Sequence, residues 1–202
     1  MKTLYCITGM KHSGKTTAGK LLAERLHLPF YDLDSYTEAA YRDGAVPVQP
    51  VRRAPAEAAD RPPALSCREI YRKFGREGFA AFEAAGAAKL LSEASDTGGV
   101  CAFGGGSIEN PEVIPLFAGI GLFIYIDEKE DVLFERIRRK GIPPFLSGPD
   151  PKTAFHELYK RRTRLYEEHA ALRISARGEE PEKIVRRILE KLQEKGENHG
   201  RE

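Results

Sequence analysis

Residues 9–17 read Gly9-Met-Lys-His-Ser-Gly14-Lys15-Thr16-Thr17, a match to G-x-x-x-x-G-K-[ST], and few folds can house that run. It follows Lys2–Thr8, a short apolar run rich in β-formers, and precedes Ala18–Leu26, where Leu21, Leu22 and Leu26 recur at helical spacing. A glycine loop between a strand and a helix turns backbone N–H groups and the helix N-terminus onto one point, which makes a phosphate cradle. Gly14 lets the backbone approach the phosphates, Lys15 brings a cation to the β/γ-phosphates, and the Thr16 hydroxyl suits Mg²⁺. His12, Ser13, Gly14, Lys15, Thr16 and Thr17 are the nucleotide contacts this predicts.

The strand-then-helix pattern recurs. Phe30–Asp32, Val100–Phe103 closed by Gly104-Gly105-Gly106, Gly121–Ile126 and Leu172–Ser175 read as strands. Helices are expected at about Glu128–Lys140, Pro151–Glu168 and Pro181–Lys195. Such alternation implies a central parallel sheet covered on both faces, a three-layer α/β sandwich. At 202 residues and 41% apolar content the chain suits one domain, 1–196, with a polar tail at 197–202. Two stretches interrupt the pattern. Residues 35–66 hold Pro47, Pro50, Pro55, Pro62 and Pro63, so a helix there is confined to about Asp34–Arg42. Residues 140–151 form a Pro/Gly loop of a length that is uncommon unless it functions.

Charge and cysteines narrow the class. Thirty-two basic against 30 acidic residues leave a net charge of +2, which gives no electrostatic reason for nucleic-acid or membrane-surface partners. No apolar run is long enough to span a bilayer, and the early strand leaves no room for a signal peptide. Cys6, Cys67 and Cys101 are too scattered for a disulfide framework or a zinc site. A cytoplasmic monomer is expected.

Two further features carry chemistry. Reading 30–34 as one strand puts Asp32 and Asp34 on the same face, at the end where a parallel sheet opens its ligand crevice. There they serve Mg²⁺ and an acceptor hydroxyl, or form a solvated strand end with Asp34 as the N-cap of the next helix. On the helix from about Pro151, apolar residues fall at Phe155, Leu158, Tyr159, Leu165 and Tyr166, and Arg162 sits inside that stripe. A core-facing arginine needs an anion: a ligand carboxylate, or a structural partner such as Asp32, Asp34 or another internal acid.

Taken in order, these motifs resemble the shikimate kinases, a P-loop NTPase family of the nucleoside-monophosphate-kinase type. The resemblance covers the loop at 9–17, Asp32 and Asp34, Ile70–Glu83, the Gly104–Gly106 loop, the lid-like 143–150 segment and Arg162–Tyr166. It implies substrate-binding helices, a lid loop, and transfer of the ATP γ-phosphate to a hydroxyl of shikimate, a small ring carboxylate, with Mg²⁺. By position it implies that Asp34 is the base and acceptor contact, and that Asp32 lies on the Mg²⁺ side. It also implies that Gly105 and Gly106 donate to the acceptor, Arg162 holds its carboxylate, and Arg136 lies near adenine.

The chain departs from that pattern at three places. Ala80 stands where the family keeps a clamp arginine, with Arg76 and Arg72 nearby as replacements. Pro143 stands where the lid carries an arginine, a residue type worth about 10³–10⁵ in rate, with Arg138, Arg139 or Lys140 as substitutes. The 35–66 region is roughly 20–25 residues longer than the family's and holds Arg52, Arg53 and Arg61. Lys11-His12 also replaces a glycine-containing pair. The alternatives are a kinase of another small hydroxy acid such as gluconate, or an ATP-binding regulatory homologue with little turnover.

Overall fold

The computed structural model describes residues 3–45, 63–143, 146 and 148–199. Five short runs form one parallel sheet: β1 (Leu4–Thr8), β2 (Phe30–Asp32), β3 (Gly99–Ala102), β4 (Gly121–Asp127) and β5 (Leu172–Ser175), in the order β2-β3-β1-β4-β5. β1 lies at the centre, with Cys6 opposite Cys101 on one side and Phe123 on the other. Strand alternation sends Ile7, Val100, Ile124 and Ile126 to one face and Leu4, Cys6, Cys101 and Phe123 to the other.

Each face has its helical layer. On the first, α1 (Lys15–Leu26) and α7 (Pro181–His199) pack Ala18, Leu22, Ile184, Val185 and Ile188. On the second, α2 (Leu33–Arg42), α3 (Cys67–Ala94) and the short α4 (Val113–Leu116) pack Leu33, Ala87, Leu90 and Val113. α5 (Glu130–Lys140) and α6 (Pro151–His169) bury Leu133, Ile137, Phe155 and Tyr166 with Met10 and Tyr125. This is the expected three-layer sandwich.

Several local expectations are corrected. The second strand stops at Asp32 rather than running to Asp34. The helix cap falls on Asp32, not Asp34: the Asp32 carboxylate accepts the Asp34 N–H at 3.1 Å, which places Asp34 in the first turn of α2. α5 starts at Glu130, not Glu128, because Glu128 is buried as an acceptor for the Gly178 N–H at 3.0 Å from both carboxylate oxygens. α7 runs on through His199, so part of the expected tail is helix.

α3 begins with a capping box between Ser66 and Glu69 and is tied to α2 by the Cys67 N–H donating to Glu38. Tyr41, Phe74 and Phe82 pack between the two helices with ring centroids 5.3–5.7 Å apart. At Gly75 the backbone leaves helical geometry, with φ 70° and ψ −169°. Only glycine adopts that region readily, so the residue breaks α3 into two differently directed parts. Arg52, Arg53, Arg61 and the prolines at 47, 50, 55 and 62 lie outside the described residues.

Candidate active site

At the carboxyl end of the sheet lies a cleft of about 1260 Å³, bordered by the 9–17 loop, Asp32 and Asp34, the Gly104–Gly106 loop, and parts of α3, α5 and α6. The loop turns into α1 at Gly14, which has φ 93° and open space beside it. A side chain would both strain that turn and fill the cradle. Ser13 Oγ is buried with no hydrogen-bond partner among the described residues. Lys15 is only 7% exposed and donates from Nζ to the Met10 carbonyl at 2.8 Å. Burial lowers its pKa to about 8, against the opposing pull of Asp34 and Asp32. His12 falls to about 4, first through burial and then through the charges of Lys11, Lys140, Lys15 and Arg136. A neutral imidazole ringed by cations and an unpartnered buried hydroxyl fit a polyphosphate.

No group of three His, Cys, Asp or Glu able to hold a metal exists among the described residues. A divalent cation here would need phosphate oxygens to complete its shell, with Thr16 and Asp32 as the protein's share.

Asp34 borders the cleft and is exposed to water there, with protein packed behind it. The surrounding protein still raises its carboxyl pKa by partial desolvation, the Asp32 charge raises it further, and Lys15 partly offsets both. A Cβ at Gly104 would stand 2.7 Å from Asp34 Oδ1, and one at Gly105 would stand 2.9 Å from the Lys11 nitrogen. The two loops therefore meet beside Asp34. Tyr166 fixes the glycine loop by donating from its hydroxyl to the Gly105 carbonyl at 2.7 Å.

Arg162 finds its internal acid in Glu109, not in Asp32 or Asp34. Glu109 Oε2 accepts from Arg162 Nε at 2.9 Å and lies 2.8 Å from its Nη2 as an ion pair, while Oε1 accepts from Arg161 Nε at 2.6 Å. Burial alone would raise the Glu109 pKa, but the arginine charges and hydrogen bonds win and hold it below the usual value. Glu83 is buried and raised by that burial, although Ser107 Oγ at 2.6 Å and Asn110 Nδ2 at 2.9 Å donate to it and oppose the shift.

Of the residues expected from sequence, His12, Gly14, Lys15, Thr16, Thr17, Asp32, Asp34, Gly105, Gly106, Arg136 and Arg162 all border the cleft, and Ser13 lies buried behind it. Arg136 also braces the loop, donating from Nη1 to the His12 carbonyl at 2.9 Å and lying 3.3 Å from Glu128. Among the replacements, Arg76 and Lys140 border the cleft, as do Ala80 and Pro143, whereas Arg72 and Arg139 do not. Arg138 pairs with Glu135 instead. Before the Gly75 break it is Arg68 and Tyr71, rather than Arg72, that reach the cleft. Sequence reasoning missed Arg68, Glu83, Glu109, Asn110 and Tyr166. Glu83 was findable, because it lies on the buried stripe of α3 with Gly86, Ala87 and Leu90.

The family model described as shikimate kinase matches residues 11–46 and 61–193. A shikimate kinase of Symbiobacterium thermophilum is 34% identical over 193 residues, covering 95% of this chain and 97% of that protein. Among solved structures, the shikimate kinase from Acinetobacter baumannii in complex with shikimate has a TM-score of 0.74 at 24% identity, covering 96% of this chain and 94% of its own. A gluconokinase from Sinorhizobium meliloti shares the fold at a TM-score of 0.52 and 15% identity, covering 97% and 94%.

Proposed function

The chain belongs to the shikimate kinase family, phosphotransferases that act on a hydroxyl group, and on that premise we propose that this cleft moves the ATP γ-phosphate to a hydroxyl of shikimate. The observation that carries the reading is Asp34, a carboxylate of raised pKa set between the phosphate loop and the glycine loop. Asp34 orients the acceptor hydroxyl and takes its proton as the new P–O bond forms. Lys15 and the loop N–H groups hold the β/γ-phosphates, with Arg136 beside the adenine. Thr16 and Asp32 would hold Mg²⁺, which neutralises phosphate charge when bound. Lys140 supplies the cation that Pro143 cannot.

On the acceptor side, Gly105 and Gly106 offer backbone donors and Arg162 meets the carboxylate. Arg76, directed into the cleft beyond the Gly75 break, adds a second positive charge near Ala80. All of these groups come from one chain, which suits a monomer, and three free thiols suit a reducing cytoplasm.

Arg162→Ala tests the reading. Losing a buried charged contact should raise the shikimate KM at least about tenfold while the ATP KM moves less than about twofold. An unchanged shikimate KM would remove the carboxylate clamp.

A further inference from the structure

We propose that Glu109 is a positioning residue for the acceptor: it grips one edge of the Arg162 guanidinium and so presents the other edge to the acceptor carboxylate. The inference rests on the reading of Arg162 given above. A guanidinium carries five N–H donors in one plane, arranged as forks. One fork pairs Nε with Nη2, and the end fork pairs Nη1 with Nη2. Glu109 Oε2 accepts from Nε at 2.9 Å and forms an ion pair with Nη2 at 2.8 Å, so it occupies the side of the first fork. Among the described residues no other group takes the end fork. Arg162 borders the cleft at 13% exposure, and its Nη2 lies 3.2 Å from the place a Cβ at Gly106 would occupy. The unused fork thus belongs to the same small region as the glycine-loop donors.

Glu109 is itself held. Its N–H donates to the Gly106 carbonyl at 2.9 Å, and Arg161 grips its other oxygen. It closes the short 3₁₀ turn Ser107–Glu109, whose first residue is anchored on buried Glu83. Arg162, 53 residues further along the chain, is therefore registered to the loop that carries the acceptor donors. An acceptor carboxylate need not displace Glu109, because the end fork accepts it without breaking the existing pair. A free arginine would lose its side-chain freedom on meeting the acceptor, whereas a pre-oriented one has already done so. The effect belongs in acceptor affinity.

The test is steady-state kinetics of the full chain with ATP and shikimate for Glu109→Ala, Glu109→Gln, Arg162→Ala and the double alanine variant. Glu109→Ala should raise the shikimate KM about fivefold to tenfold, with a smaller fall in kcat and an ATP KM within about twofold. Glu109→Gln keeps the shape and a carbonyl acceptor for the gripped fork, so it should recover part of that loss. The double variant should be no worse than Arg162→Ala, because Glu109 acts through that arginine. A shikimate KM that is unchanged or lower in Glu109→Ala overturns the proposal, the lower value marking Glu109 as a competitor for Arg162. Additive losses in the double variant also overturn it. If Arg162→Ala leaves the shikimate KM untouched, the reading of the clamp fails as well.

Discussion

Lys15 and Asp34 titrate abnormally for one main shared reason, the protein packed around both at the end of the sheet, although Lys15 is buried and Asp34 still meets water in the cleft. That packing lowers the lysine to about 8 and raises the carboxyl. For Asp34 this means a stronger base than an ordinary aspartate. Asp34→Asn should keep ATP binding by calorimetry and lower kcat about 10²–10⁴-fold, and near-normal turnover would take Asp34 out of the chemistry. For Lys15 the sign runs the other way. The charge that polyphosphate needs is fully present below about pH 8 and is lost above it. Above that point ATP binding must take up a proton, so affinity should weaken by up to about tenfold per pH unit until the pKa of the bound state is reached. Lys15→Arg, which stays charged, should flatten the profile whatever its absolute affinity. A flat wild-type profile between about pH 7 and 9.5 would contradict the assignment.

Two elements combine structure with function, and each can be separated by substitution. Asp32 caps α2 while facing the phosphate loop. Asparagine caps a helix about as well as aspartate, so Asp32→Asn should leave Tm almost unchanged yet raise the Mg²⁺ concentration needed for half-maximal rate. An unchanged Mg²⁺ requirement would reduce Asp32 to a cap. α3 depends on Gly75 in the same way. Gly75→Ala should lose about 1–3 kcal/mol of stability in denaturant titrations, because alanine does not tolerate φ 70° with ψ −169°. It should also raise the shikimate KM by redirecting Arg76, and Arg76→Ala should reproduce the KM effect without the loss of stability.

At the scale of the molecule, the sequence made the layers, the phosphate loop and Arg162 legible, because each leaves a local period or motif. The apolar stripe of α6 exposes Arg162 as an exception, and the same test on α3 finds Glu83. Strand order was not legible, since β2 and β1 are separated in the sheet by β3, a strand about seventy residues later in the chain. Glu109 left no trace either: an acid after a glycine loop gains meaning only when a distant helix lays Arg162 beside it. The Gly75 break hid in a stretch that otherwise reads as helix. The central claim, that this assembled cleft phosphorylates shikimate, is tested most directly by coupled ADP release with Mg²⁺-ATP against shikimate, quinate, gluconate and no acceptor. The account predicts release that depends on shikimate and stays near background with the others. Release that is equally fast with gluconate, or that needs no acceptor, would contradict it.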